Sequence, residues 1–404
     1  MKKALQIALG ILTGIGGFFD IGNLVTGAQA GAQFRFQLLW ALLVGTVMVI
    51  LLVEMAGRFS AVTKKAIPEA IREHLGMRVW AIPFVVMILL HVLTLAAEIG
   101  GISFALQLLT GVPFAAFAVP VGALLWLFLW RATFNAIEYS TAVLGMIALS
   151  FVFAATAHHP PWHDVLAGLV PSLPAEGPAK YWLIAVSIMG AVLAPYMFYF
   201  YSSGAIEDEW DQTYIGVNRF VAVTGMGFGA VVTAGLIIVA AMVLEPKGIN
   251  VDSVNQAALV LTEAFPFWGF ALFAGTVAVA CTGAASEVSL SLAYTVSQTF
   301  GWKWGESLEP AKDARFALTY TAAILVASLI PAIGVDPFKL TMIAMALNAT
   351  LLPVVTIPFL LLMNDRRLLR EHANGPFMNV ATIGIVLVSL VLFIVSIPLL
   401  VRGG

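Results

Sequence analysis

Long apolar runs dominate the chain, and polar residues fall in short interruptions between them. Runs of about 18 or more nearly uncharged residues recur along the whole sequence, and each could cross a bilayer as a helix. The polar stretches between the runs are too short to form a separate soluble domain. The pattern predicts an all-α integral membrane protein with a single transmembrane domain over residues 1–404.

Eleven spans are expected from this pattern. Their approximate bounds are 5–31, 37–57, 79–109, 113–130, 134–157, 181–206, 216–244, 265–299, 314–334, 337–363 and 377–401. The segment 67–76 is too short and polar to span, and it predicts a helix at the inner surface. Most of the 20 lysines and arginines fall in segments that face inward if the amino terminus is cytoplasmic. We therefore expect a multi-pass plasma-membrane protein, in the inner membrane if bacterial, with its carboxyl terminus outside.

Two of the expected spans are interrupted. The first contains GGFFDIGNLVTG, residues 16–27, where an acid and an amide break the apolar run; the sixth contains SIMGAVLAPYM, residues 187–197, with Pro195 in its middle. Helix breaks at membrane depth are tolerated where they line a cavity or are buried in protein. Because the breaks lie five spans apart, they predict a substrate site between inverted repeats, approximately 5–157 and 181–363, with 377–401 as an additional helix.

The carboxylate of Asp20 indicates what such a site would bind. An acidic side chain at the centre of a membrane helix costs about 2.5–3.5 kcal/mol. No basic residue in the first span could pair with it. A bound cation is the simplest partner, and Asn23, three residues later, offers a second oxygen from the same helix face.

Composition and motifs exclude several classes of protein function. The chain is 61% hydrophobic and 10% charged, whereas soluble proteins carry about 25% charged residues. A net charge of −2 gives no indication of nucleic-acid binding, and the single cysteine, Cys281, excludes a disulfide framework and a thiolate metal site. No nucleophile–base pair, P-loop or dinucleotide motif is evident. We expect no enzymatic activity and no cofactor; the oligomeric state stays open.

The interrupted spans resemble the Nramp family of divalent-metal transporters. DIGN at 20–23 is similar to the family's first-helix DPGN, and GAVLAPYM at 190–197 is similar to its sixth-helix GATVMPHN. The resemblance covers nearly the whole chain. It implies a five-plus-five inverted repeat (LeuT-like) with discontinuous helices 1 and 6. It also implies metal ligation by Asp20, Asn23 and the backbone carbonyls of Gly17 and Ala191.

The departures from the family motifs bear on which ion the site prefers. The family's sixth-helix methionine, which gives a thioether to the metal, is replaced here by Ala194. An all-oxygen site suits Mg²⁺ or Mn²⁺ better than softer ions, so the resemblance favours these over Fe²⁺. A family glutamine in helix ten falls on Met345, with Asn348 a turn later, and these residues are expected to line the pathway with Ala194 and Pro195. The chain most resembles the magnesium-transporter branch of the superfamily, in which transport is regarded as passive.

The proton route of the family is largely missing. Family histidines fall on Tyr196 and Tyr201, and an acidic pair in helix three is reduced to Leu95 and Glu98. Tyrosine, with a pKa near 10, is a poor proton carrier at neutral pH. His91 lies seven residues before Glu98 on the same helix face. The two could form a residual relay or a structural pair.

Glu287, among small residues of the eighth span, could join such a relay, pair with a neighbouring helix, face an inner vestibule or bind the ion directly. The function predicted from the sequence is alternating-access transport of a divalent cation, Mg²⁺ or Mn²⁺ rather than Fe²⁺, without strict proton coupling. Three alternatives stay open: a proton-coupled Mn²⁺ symporter, a carrier of an organic substrate, and a membrane sensor that binds without transporting.

Overall fold

The computed structural model describes residues 18–131, 146–172, 174, 177–305, 308, 310 and 314–401, with the side chains of 392, 393 and 395–401 excluded. Within these residues the secondary structure is helical throughout. The α-helices are α1 Ile21–Phe34, α2 Leu39–Thr63, α3 Ile67–Leu75, α4 Met77–Thr110, α5 Phe114–Arg131, α6 Leu149–Ala157, α7 Trp162–Ala167, α8 Pro178–Val192, α9 Pro195–Glu207, α10 Ile215–Val243, α11 Val254–Thr262, α12 Gly269–Phe300, α13 Ala314–Ala332, α14 Pro337–Met363, α15 Arg366–Leu369 and α16 Pro376–Val401. Four 3₁₀ turns cover Met146–Ala148, Gln212–Tyr214, Glu245–Lys247 and Arg370–His372.

Eight helical segments in the described part of the chain are long and apolar enough to cross a membrane. They are Leu39–Thr63, Met77–Thr110, Phe114–Arg131, Pro178–Glu207, Gln212–Lys247, Gly269–Phe300, Ala314–Ala332 and Pro337–Met363. Each coincides with a predicted span. The segment Arg366–His372 meets α16 at a bend of 118°, and this pair would be a ninth span. The first and fifth predicted spans lie partly outside the described residues, which include only α1 and α6 of them.

Helix α1 lies at the centre of the bundle, and every residue from Ile21 to Ala32 is buried. It packs against α8, α10 and α14, while α4 packs along α12 and α14. Small residues allow these close crossings, as is usual between membrane helices. At Gly31, for example, an added Cβ atom would overlap the carbonyl oxygen of Ile237 on α10. The packing therefore brings the interrupted first span against the helices that carry the other candidate residues.

The carboxyl-terminal end of the second span differs from the prediction. The sequence placed its end at residue 57, but α2 continues to Thr63 and buries Arg58. Burial is possible because Arg58 Nε lies 3.1 Å from Glu54 Oε1, one turn earlier on the same helix, and Arg58 Nη2 donates to Asn374 Oδ1 at 2.9 Å. A paired and fully hydrogen-bonded charge can remain inside protein where an isolated one cannot.

Two shorter segments lie between the predicted spans. The short helix predicted at 67–76 is confirmed as α3. The proline-rich segment 158–178 contains the six-residue helix α7. Pro161 immediately precedes this helix, in agreement with the preference of proline for helix starts.

Candidate metal-transport site

The predicted break in the first span is present at Phe19 and Asp20. Phe18 is helical, the next two residues are not, and α1 begins at Ile21. Asp20 has extended backbone angles, φ −123° and ψ −177°, and it caps α1. Its Oδ1 atom accepts from the Asn23 backbone N–H at 2.7 Å and from Asn23 Nδ2 at 3.0 Å. The carboxylate is thus held by the turn that follows it, at 1% exposure.

Asn23 brings a second oxygen to this turn. Its Nδ2 atom also donates to the Phe18 carbonyl at 2.8 Å, which fixes the amide across the break. Its Oδ1 atom is buried and has no hydrogen-bond partner within the described residues. A buried acceptor without a partner is costly, so this oxygen is suited to a bound ion or water. Gly17, whose carbonyl was expected to act as a ligand, lies outside the described residues.

The second break separates α8 from α9 at Leu193 and Ala194. Ala194 has φ −55° and ψ 121°, and α9 starts at Pro195. Because proline has no N–H, it cannot donate to the carbonyl of Ala191, four residues earlier. The chain therefore frees the carbonyl that the family resemblance assigned to the ion, and it does so by the identity of Pro195.

Glu98 on α4 joins the first break from the opposite side. Its Oε2 atom accepts from the Ile21 backbone N–H at 3.4 Å, at the amino terminus of α1. Its Oε1 atom is buried without a hydrogen-bond partner in the described structure, and the thiol of Cys281 lies within hydrogen-bonding reach of the carboxylate. Among the ion pairs found in the described residues, none includes Asp20 or Glu98. Two buried acids therefore meet without a basic side chain.

Helix α14 contributes Met345 and Asn348. Met345 is fully buried, and its Sδ atom lies beside Gly22 on α1, where an added Cβ would overlap it. Asn348 Nδ2 lies 3.9 Å from this sulfur and 3.5 Å from Thr94 Oγ1 on α4. The sequence placed Met345 on the pathway but did not indicate that its sulfur lies beside Gly22, just after the first break. Gly22 itself was the available signal, because a glycine leaves space for a neighbouring side chain.

The residues considered for a relay have separate partners. His91 Nδ1 lies 2.6 Å from the Met87 carbonyl, and Nε2 lies 2.9 Å from Ser291 Oγ on α12. Since both ring nitrogens are occupied, His91 and Glu98 do not form a direct hydrogen bond, and the structural pair considered above is not present.

Tyr196 connects these side chains to the second break. Its ring meets that of His91 edge-on at 6.4 Å between centroids. Its carbonyl accepts from Ser291 Oγ at 3.3 Å. Glu287, one turn before Ser291 on α12, is buried and close enough to interact electrostatically with the Tyr196 hydroxyl. Sequence reasoning missed Ser291, which lies between His91 and the break.

The donor set is unusual for a resident metal centre. Among the described residues, no group of three or more His, Cys, Asp and Glu side chains could hold a metal ion. The candidate donors on the elements that meet here are the carboxylate of Asp20, the amide oxygen of Asn23 and, beside Gly22, the thioether of Met345. Few fixed charges and a helix break on each side suit an ion that has to leave again.

Comparisons with known proteins agree with this architecture. The family model described as "Natural resistance-associated macrophage protein-like" (Nramp) matches residues 10–398. The divalent metal cation transporter MntH of Caldanaerobacter subterraneus is 23% identical over 393 residues, which are 93% of this chain and 88% of that protein. A manganese transporter structure from Eremococcus coleocola is 22% identical with a TM-score of 0.77, covering 97% of this chain and 85% of its own.

A more distant structure shares the fold alone. MhsT in complex with L-phenylalanine has a TM-score of 0.66 at 13% identity, covering 97% of this chain and 98% of its own. The family match, in contrast, extends over nearly all of the sequence and includes both breaks. The chain therefore belongs to the Nramp family of membrane transporters.

Proposed function

We propose that this protein moves a divalent metal cation across the membrane, with the ion bound between the two interrupted helices. The observation that carries the proposal is the buried Asp20 carboxylate beside an unpartnered Asn23 oxygen. A dication would compensate both, and the Ala191 carbonyl, which lacks its α-helical donor because of Pro195, is proposed as a further oxygen ligand. As a member of a transporter family the chain is not an enzyme.

The identity of the ion depends on which donors reach it. The relatives named above are described as carriers of divalent metal cations or manganese, which supports Mn²⁺. Ala194 leaves the second break without a sulfur of its own, and this favours Mg²⁺ as the second candidate. The expectation that Fe²⁺ is disfavoured rested on the absence of a thioether, so the position of Met345 bears directly on it.

Uptake is proposed to run on the membrane potential rather than on strict proton coupling. A dication moving inward gains about 4.6 kcal/mol per 100 mV, twice the value for one charge. Leu95, Tyr196 and Tyr201 replace the family's titrating residues, and the ring nitrogens of His91 are both engaged. Proteoliposomes loaded with a pH-sensitive dye would acidify on metal addition if the alternative, a proton symporter, were correct.

The proposed topology is eleven spans with inverted repeats at about 5–157 and 181–363 and an added helix at 377–401. Support comes from the two breaks in corresponding positions of the halves and from the likeness to MhsT over nearly the whole chain. The amino terminus is proposed to be cytoplasmic because the positive charge is concentrated on that side.

The charge of Asp20 is the feature to test, and Asp20→Asn isolates it. Asparagine also caps helices well, so the turn at α1 keeps its hydrogen bonds while the charge is lost. Asp336→Asn is the matched control, because Asp336 caps α14 by accepting from Phe338 N–H at 2.8 Å and is exposed. We expect Mn²⁺ uptake into proteoliposomes to be abolished in the first variant and retained in the second. Equal uptake by both would contradict the proposal.

A further inference from the structure

Met345 reaches from one helix break to the other. Its backbone carbonyl lies against Gly190 of α8, where an added Cβ would overlap it, and the residue belongs to a small apolar cluster with Ala191 and Ala344. Its side chain extends to α1, where Sδ occupies the space that a Cβ of Gly22 would need. A single residue of α14 is therefore in contact with both broken helices.

The two glycines make this position possible. Gly22 lies two residues after Asp20 and immediately before Asn23, inside the turn that holds the carboxylate. Any larger residue there would displace the sulfur. Gly190 immediately precedes Ala191, whose carbonyl is freed by Pro195. Each broken helix thus has a glycine, close to its break, at a position where Met345 approaches.

The sulfur lies next to the turn that holds the Asp20 carboxylate. Buried methionines usually fill apolar gaps, and Met345 does belong to an apolar cluster. Its Sδ atom, however, lies beside Gly22, which is between Asp20 and Asn23 in the chain. Asn23 Oδ1 in this turn is a buried acceptor without a partner among the described residues, and a thioether cannot donate a hydrogen bond to it. Asn348 Nδ2, 3.9 Å from Sδ, is placed to orient the sulfur as a weak acceptor.

We propose that Met345 supplies a thioether ligand to the transported ion, from α14 rather than from the break in the sixth span. This inference rests on the proposed metal transport at Asp20 and Asn23. Thioethers favour softer ions, whereas Mg²⁺ and Ca²⁺ bind oxygen. The site therefore selects Mn²⁺ and, more strongly, Cd²⁺ over Mg²⁺ and Ca²⁺.

The test is Met345→Leu, which keeps the volume and removes the sulfur. Met363→Leu is the matched control, since Met363 is fully buried on the same helix but 18 residues away, about 27 Å along its axis. Titration calorimetry of the full-length protein is done with Cd²⁺, Mn²⁺ and Mg²⁺ separately. We expect Cd²⁺ affinity to fall at least about tenfold in Met345→Leu, Mn²⁺ affinity to fall less, and Mg²⁺ affinity to stay the same or rise.

Two further measurements distinguish a ligand from a packing residue. X-ray absorption at the cadmium edge should show a sulfur neighbour in the native protein and in Met363→Leu, and none in Met345→Leu. Gly22→Ala, which pushes the sulfur aside without removing it, should lower the preference for Cd²⁺ over Mg²⁺ in the same direction. A variant that merely packs badly would lower the affinity for all three ions together.

The inference and the proposed function fail separately. Unchanged ion preference and an unchanged cadmium spectrum in Met345→Leu would overturn the role of the thioether, and loss of binding by Asp20→Asn would still support metal transport. If Asp20→Asn binds all the ions as the native protein does, the proposed function is wrong, and the assignment of Met345 as a ligand fails with it.

Discussion

The approach of α14 to α8 at Gly190 gives a sharp test of the packing that assembles the site. A Cβ atom at this position would overlap the carbonyl oxygen of Met345 and would lie 2.7 Å from its carbonyl carbon and 3.1 Å from the Ala349 nitrogen. All three atoms belong to the backbone of α14. Since no side-chain rotation can relieve the overlap, Gly190→Ala has to push the two helices apart.

The expected magnitude follows from two opposing effects. Alanine in place of glycine inside a helix is worth about 0.5–1 kcal/mol of stability. Overpacking costs about 1–3 kcal/mol, and an overlap between an added Cβ atom and a helix backbone, which cannot rotate away, belongs at the upper end of this range. Gly204→Ala is the matched control, because Gly204 lies in α9 with open space around its Cβ position. The difference between the two variants removes the helix-propensity contribution and leaves about 3 kcal/mol of packing, which is a factor of more than about 100 in the unfolding equilibrium.

Equilibrium unfolding in mixed detergent micelles would measure this difference. We expect Gly204→Ala to match or exceed the native protein and Gly190→Ala to unfold at much lower denaturing detergent. Metal affinity should also fall in Gly190→Ala, because Met345 moves with α14. If the two alanine variants unfold alike, the helices do not approach as closely as described, and the contact of Met345 with the second break loses its basis.

Two predictions concern charged groups away from the breaks. Glu54→Gln leaves the buried Arg58 without its carboxylate partner at 3.1 Å. We expect the free energy of unfolding to fall by about 3 kcal/mol, near the bottom of the range for broken buried pairs, because Asn374 still accepts from Arg58. An unchanged free energy of unfolding would show that the pair is not buried. The hydrogen bond from Lys65 Nζ, at 2.5 Å, lowers the pKa of Glu73 from its ordinary value of 4.5. A lowered pKa in the folded state stabilises the protein above pH 4.5, and that contribution is lost as the pH falls through the folded-state pKa. Hydrogen exchange of α3 can be followed from pH 7 to pH 3.5, with rates corrected for intrinsic pH dependence. We expect a small loss of protection in the native protein and none in Glu73→Gln. The same loss in Glu73→Gln would contradict the assignment of this pH dependence to Glu73.

Much of the architecture could be predicted because the bilayer imposes strong rules on sequence. Eight predicted spans coincide with helices long enough to cross, since an apolar run of the required length has few other structures available. Both breaks were also predictable: a carboxylate at mid-span needs a partner, and although a lone proline is more often a kink, Pro195 lies five spans after the first break. The carboxyl-terminal end of α2 was harder to predict, because Arg58 resembles a loop charge unless its partner Glu54 is recognised one turn earlier.

The composition of the site was less predictable, because it depends on which side chains cross between helices. Asp20 and Asn23 could be identified since their own turn brings them together. The Met345 sulfur comes from a helix more than 300 residues later in the chain, and its position is determined by the bare surface of Gly22. A glycine in the sequence indicates available space but does not say what occupies it. An argument from Ala194 alone would therefore assign an all-oxygen site.

The contact of one residue with both breaks has a mechanical consequence. In the alternating-access transport predicted from the sequence, α1 and α8–α9 would change their positions relative to the rest of the bundle. Met345 is held by its backbone against Gly190 and reaches Gly22 only through a flexible side chain. Movement of α1 can then be followed by rotation of the Met345 side chain, whereas movement of α8 requires movement of α14. A thioether on three rotatable bonds could stay with the ion while α1 shifts, which a ligand fixed in the backbone of either break could not do.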